Sequence, residues 1–112
     1  MSEPNCIFCS IINKKIPATV VMENDEVIVI NDINPKAPVH YLVIPKKHIA
    51  DFMGLTDENE KILHSVRKMI QKIGMSMPGQ SFRLLLNNGA DAGQSVFHLH
   101  FHMLAGKIMG GF

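Results

Sequence analysis

The sequence predicts an α+β fold: a single domain over residues 1–112, with an antiparallel sheet of about five strands carrying one long and one short helix. Three observations predict it. The order of apolar segments runs helix, hairpin, strand, helix, hairpin, and lacks the regular strand–helix–strand alternation of a parallel sheet. A chain of 112 residues buries enough surface for one core without disulfide support. Apolar residues make up 46% of it and no low-complexity or charge-block segment interrupts it, so the chain is globular rather than disordered.

Residues 1–5 read as a flexible lead. Cys6 to Lys15 has apolar residues at helical intervals and predicts a short helix that stops before Pro17. Thr19 to Glu23 and Val27 to Asn31 are short β-branched runs separated by Asn24-Asp25, a hairpin. Asp32 to Pro38, with Asn34-Pro35 and Pro38, is a loop, and His40 to Ile44 is the next strand, ended by Pro45. The long helix starts at Thr56 as N-cap, with Asp57 and Glu58 where the helix dipole favours negative charge. Ile62, Leu63, Val66, Met69, Ile70 and Ile73 form its apolar stripe, Gly74 is its predicted stop, and His64 falls on the solvated side. Phe82 to Leu86 is a further strand. Asn87 to Ser95 is a turn-forming connection into a last strand, Ser95 to Leu104.

Composition excludes several roles. A net charge of +1 argues against a nucleic-acid backbone as partner, which needs many uncompensated Lys and Arg. The N-terminus has no basic region followed by an apolar stretch, and no run approaches membrane-spanning length, so a soluble, cytoplasmic protein with no membrane partner is expected. Cys6 and Cys9 lie too close together to staple distant parts of a fold, which suits a reducing compartment.

The chemistry is concentrated in the last strand, where His98, His100 and His102 alternate with the apolar Phe97, Leu99, Phe101 and Met103. Alternation on a strand sends the bulky residues to one face and lines three imidazoles along the other, each roughly 6.5 Å from the next. Three half-buried rings without partners would be costly, so the row reads as a site. Imidazole is a nucleophile and a tolerable leaving group near neutral pH, and its protonated form can steady phosphate oxygens or protonate a departing group. That combination suits nucleotidyl transfer, with the doubly flanked His100 as nucleophile. In the preceding loop Gly93 lets backbone approach a ligand, and the Gln94 and Ser95 side chains offer donors for phosphate. The competing chemistry is metal: Cys6-x-x-Cys9 and the histidines are zinc ligand types. Free thiols in a short helix are the alternative, and a redox pair fits less well because no strand precedes Cys6.

The motif His98-Leu99-His100-Phe101-His102-Met103-Leu104 resembles the His-x-His-x-His-x-x signature of the histidine-triad superfamily of nucleotide hydrolases and transferases. Ile7 to Ile12, Ile16-Pro17-Ala18, Asn31-Asp32-Ile33, Ala37 to His40, Val43 to His48 and Gly93-Gln94-Ser95 are similar to its other landmarks, so the resemblance covers Cys6 to Gly106. Ala37 to His40 and Met103 to Lys107 most resemble the Hint branch, the nucleoside phosphoramidases.

The resemblance implies a homodimer with a shared sheet, a purine nucleotide ligand, and hydrolysis of the P–N bond of purine nucleoside 5'-phosphoramidates. It makes His100 the site of a nucleotidyl-histidine intermediate and has His102 contact the α-phosphate and leaving group, with His98 and His40 supporting the ring orientations. Asn87, Gly93, Gln94 and Ser95 would bind phosphate, Asp32 the ribose hydroxyls, and Phe8 and Ile33 would wall the base. By the same resemblance Cys6, Cys9, His48 and His98 would hold a structural zinc. The alternatives are a dinucleoside polyphosphate hydrolase like the Fhit branch and a zinc-stabilised nucleotide-binding module. The ending, Lys107 to Phe112, has no tryptophan, whereas many Hint proteins carry a tryptophan-containing tail that shapes the leaving-group side of the pocket.

Overall fold

The computed structural model describes residues 3–107; expectations that fall on residues 1–2 and on the tail 108–112 lie outside the described residues. Its helices are α1 (Ile7–Ile12) and α2 (Glu60–Gly74), and its strands β1 (Val20–Glu23), β2 (Val27–Asn31), β3 (Val39–Pro45), β4 (Arg83–Leu85) and β5 (Phe101–Ala105). All strand pairs are antiparallel and the sheet order is β1-β2-β3-β5-β4. Among the described residues no helix is long and apolar enough to cross a membrane.

The two helices cover opposite faces of the sheet. Val27, Val29, Val43, Phe101 and Met103 point to the α2 side, where Val66, Met69, Ile70 and Ile73 meet them. Ile28, Ile30, Leu42 and Ile44 point to the α1 side and pack on Phe8, Cys9 and Ile11. Coverage of both faces is why β2 is a continuous apolar run rather than an alternating one. The β1–β2 turn is held by Asn24, whose Oδ1 accepts from the N–H groups of Glu26 and Val27, both at 2.8 Å.

The structure departs from the sequence expectations at element ends. A turn closed by Cys6 N–H on the Glu3 carbonyl (3.1 Å) precedes α1. The Cys6 sulfur then caps the helix by accepting from Cys9 N–H at 3.3 Å. The helix ends well before Pro17 because Lys14 takes a left-handed φ of +64° and Lys15 N–H turns back to the Ser10 carbonyl at 2.8 Å. A tight 3-10 turn, Asp57–Asn59, precedes α2, and Asn59 Oδ1 accepts from the Thr56 N–H at 2.9 Å. Leu63 is 37% exposed, because it sits at the edge of the stripe, about 100° of helical turn from Ile62. His64 is on the exposed side, beside Arg67.

Gly74 does not stop α2 by a left-handed turn. It is the last helical residue, and a Cβ there would lie 2.7 Å from Phe82 Cε2, so its role is to admit that ring. The stop comes from Ser76, whose hydroxyl donates to the Ile73 carbonyl at 2.8 Å, with Pro78 beyond it.

Gly106, just past β5, has both a φ of +100° and a site where a Cβ would lie 2.9 Å from Pro38 Cβ. Gly106→Ala therefore combines backbone strain with overpacking and is expected to destabilise the protein by about 2–3 kcal/mol. Thermal denaturation checks this, with the midpoint falling by roughly 10 °C.

Candidate functional site

The histidine segment is the first place where alternation misleads. Strand β5 begins only at Phe101; His98, Leu99 and His100 are extended but lie ahead of the ladder, held by Leu99 N–H on the Ile49 carbonyl at 2.7 Å. An extended chain keeps period two with or without strand partners, so side-chain sidedness survives while the ladder does not. Leu99, Phe101 and Met103 do pack on the α2 side, whereas Phe97, beyond the anchored part, is 46% exposed.

The three rings do not line one groove floor. His98 is wholly buried and turned away toward α1. Its Nε2–H donates to the Pro45 carbonyl at 2.7 Å, which leaves Nδ1 bare. That atom lies 3.3 Å from Cys6 Sγ, 3.6 Å from Cys9 Sγ and 3.1 Å from His48 Nδ1, and Cys9 Sγ is 3.3 Å from His48 Nδ1. A tetrahedron with arms of 2.0–2.3 Å has edges of about 3.3–3.8 Å, and these four separations lie within or close to that range. The hydrogen bond to the Pro45 carbonyl fixes the ring with Nδ1 toward the two sulfurs. Burial lowers the His98 pKa to about 4 and, with Cys9 beside it, raises that of the Cys6 thiol. The two-sulfur, two-nitrogen donor set could hold a metal ion. A cleft of about 420 Å³ reaches Cys6 and His48 from outside, past Ser95 and Phe97.

His100 and His102 face a different cleft, of about 470 Å³, on the other side of the Ser95–Val96 segment. The structure brings Phe8, Asp32, Ile33, Asn87, Gly93 and Ser95 to the same cleft. Phe8 stands edge-on to the His100 ring at 5.0 Å, whereas Ile33 is 91% exposed at the rim. His100 Nδ1–H donates to the carbonyl of His98 at 2.7 Å, so its Nε2 lone pair is free for the cleft. Burial lowers its pKa, opposed by that hydrogen bond and by Asp32, which favours the neutral ring that can act as a nucleophile. The apolar half of the cleft comes from Ile11, Ile16, Ile30 and Leu42.

Gln94 lies elsewhere. Its Oε1 accepts from Gly89 N–H at 2.8 Å, and its Nε2 donates to the carbonyls of Ala50 (2.9 Å) and Val96 (3.1 Å). The side chain therefore ties the 89–96 loop together and has no donor left for phosphate. The motif Gly-Gln-Ser does not distinguish a ligand from a strut; only the burial does. Gln94→Ala is expected to cost about 2–3 kcal/mol, from stranding buried backbone groups. Chemical denaturation measures it, and a stability unchanged within 0.5 kcal/mol (about the scatter of surface substitutions) contradicts the strut.

His40 is buried behind His102. Its Nε2 lies 2.9 Å from His102 Nδ1 and 3.4 Å from Asp32 Oδ2, and its Nδ1 accepts from Lys36 N–H at 3.0 Å. Asp32, His40 and His102 are close enough together to suggest a second metal site. The Lys36 bond argues against it. With an N–H pointing at Nδ1, the ring carries its proton on Nε2, the atom a cation would need bare.

The family model described as "Scavenger mRNA decapping enzyme C-term binding" matches residues 5–112. An uncharacterized HIT-like protein of Synechocystis is 42% identical over 102 residues, 90% of each chain. The structure of a HIT family hydrolase from Clostridium thermocellum superposes with a TM-score of 0.93 at 43% identity, over 99% of this chain and 98% of that one. A Zn-bound histidine triad family protein from Mycobacterium smegmatis superposes with a TM-score of 0.74 at 31% identity, over 89% and 73%.

Proposed function

The chain belongs to the histidine-triad superfamily, and on that premise we propose that it is a nucleotide hydrolase of the Hint type, cleaving the P–N bond of purine nucleoside 5'-phosphoramidates. The observation that carries this reading is a cleft lined by His100, whose Nδ1–H is held on the His98 carbonyl and whose Nε2 is left bare, together with Phe8 and Asp32. The solved relative from Clostridium thermocellum is described as a hydrolase, in keeping with it.

Phe8 and Ile33 would wall the base, Asp32 would accept from the ribose hydroxyls, and Asn87, Ser95 and the Gly93 backbone would hold the phosphate. Gly93, at φ +97°, leaves that approach open. His100 Nε2 forms a bond to the α-phosphorus as the bond from phosphorus to the amine breaks. The amine leaves with that electron pair and takes a proton from the open side of the cleft. Water then attacks the same phosphorus and releases the nucleotide and His100. Net, phosphoramidate and water give nucleoside monophosphate and amine.

Cys6, Cys9, His48 and His98 would hold zinc, as their spacing and the bare His98 Nδ1 support. Zinc supplies no step of the reaction, since four protein ligands close the site; it would tie α1, and with it Phe8, to the histidine segment. We propose a homodimer with a continuous sheet, for which β4, the edge strand that carries the half-exposed Leu84, offers the joining edge. A cytoplasmic location goes with this reading.

The test compares turnover of adenosine 5'-phosphoramidate with that of diadenosine tri- and tetraphosphate. Faster release of AMP from the phosphoramidate supports the proposal. Preference for the polyphosphates moves the assignment to a Fhit-like hydrolase, and turnover of neither leaves a nucleotide-binding module.

A further inference from the structure

We propose that the backbone N–H of Lys36, acting through His40, is a positioning group that holds His102 as an uncharged ring with its proton on Nε2. This rests on the hydrolase reading for its catalytic consequence, but not for the tautomers themselves. The chain of contacts has a single direction. Lys36 N–H can only donate, so His40 Nδ1 accepts, at 3.0 Å, and the His40 proton sits on Nε2. That Nε2–H lies 2.9 Å from His102 Nδ1, with the Asp32 carboxylate 3.4 Å away favouring a proton on the same nitrogen. His102 Nδ1 therefore accepts, and the neutral His102 ring presents Nε2–H to the cleft.

A charged His102 does not fit this arrangement. An imidazolium would carry a proton on Nδ1 and set two N–H groups against each other across 2.9 Å. Moving the His40 proton aside would only create the same conflict at the Lys36 N–H. Asp32, His40 and His100 are the titratable groups whose charge reaches His102, and burial outweighs the carboxylate to leave its pKa at about 4. The imidazolium form that could protonate a departing group is thereby denied to His102 by the loop amide.

The consequence for the reaction concerns the proton on the departing amine. A neutral imidazole donates a hydrogen bond, as a preorganised dipole, without giving up its proton. His102 Nε2–H then steadies the phosphate oxygen or leaving nitrogen as the P–N bond breaks. The amine takes its proton from a water at the mouth of the cleft, and the hydroxide left behind attacks the phosphorus of the nucleotidyl-histidine, so atoms and charge balance across the two steps.

Two measurements test this on the full-length protein. Long-range proton–nitrogen NMR of histidine-labelled wild type, without nucleotide at pH 7, should show His40 and His102 both as neutral Nε2–H tautomers. His40 protonated on Nδ1, or either ring as an imidazolium, overturns the proposal whatever the enzyme's substrate is. The second measurement compares Lys36→Pro with Lys36→Ala, which both lose the lysine side chain while only the first loses the N–H. Phosphoramidate kcat is expected to be about 10–100-fold lower for Lys36→Pro than for Lys36→Ala, with KM within about threefold. Equal kcat in folded forms of the two overturns it; if Lys36→Pro does not fold, the wild-type tautomers decide. Absence of phosphoramidate turnover in wild type, with the tautomers as expected, overturns the hydrolase reading and leaves the positioning chain standing.

Discussion

His100→Ala is expected to lower phosphoramidate kcat by about 1,000-fold or more, while adenosine monophosphate still binds within about threefold. The size of the effect follows from what the ring supplies. In the proposed reaction its Nε2 would make the covalent bond that divides the displacement in two, and alanine would leave no atom within reach of the phosphorus to replace it. Binding survives because Asp32 and Asn87 line the cleft independently of that ring. Phe8 is the sensitive point, since its edge-on contact with His100 at 5.0 Å is lost. Calorimetry with the nucleotide and steady-state kinetics separate the two quantities. Equal loss of binding and turnover would make His100 a wall of the pocket rather than the nucleophile.

The double substitution Cys6→Ser/Cys9→Ser is expected to take bound zinc from about one ion per chain to nearly none, and to lower the thermal midpoint by more than about 10 °C. Two of four ligands disappear, and serine oxygen is a poor substitute for thiolate toward zinc. The stability loss is large because the cluster joins three separate parts of the chain: the start of α1, the segment after β3 and the segment before β5. Elemental analysis of protein purified without chelator, together with a melting curve, provides the check. Metal-free wild type under those conditions removes the zinc reading, and leaves the four side chains as a hydrogen-bonded cluster.

Much of this fold can be read from local pattern. Strand β2 is delimited by its own β-branched run and the Asn24 turn, and α2 is marked by its apolar spacing, because those signals are decided within a few residues. The remaining features depend on what arrives from elsewhere. Gly74 looks like a helix stop until Phe82 is seen against it. Gln94 looks like a phosphate donor until Ala50 and Gly89 occupy its amide. His98 belongs to the histidine row by spacing but to the cysteine cluster by burial, and the carbonyl that turns its ring comes from Pro45 on another strand. The Lys36 amide has no sequence signature at all, since every residue but proline carries one.

His98 faces two ways. Its ring belongs to the cysteine cluster, and its own carbonyl receives the Nδ1–H of His100 at 2.7 Å. The orientation of the His98 ring and the aim of the His100 ring therefore depend on one residue, with no second residue between them to absorb a displacement. Partial filling of the cluster would then divide a preparation into two kinds of molecule, one with His100 held and one with it loose, rather than slow every molecule a little. If zinc fills the cluster and the proposed reaction holds, such a sample would show turnover proportional to its metal content, with an unchanged rate constant for the active fraction.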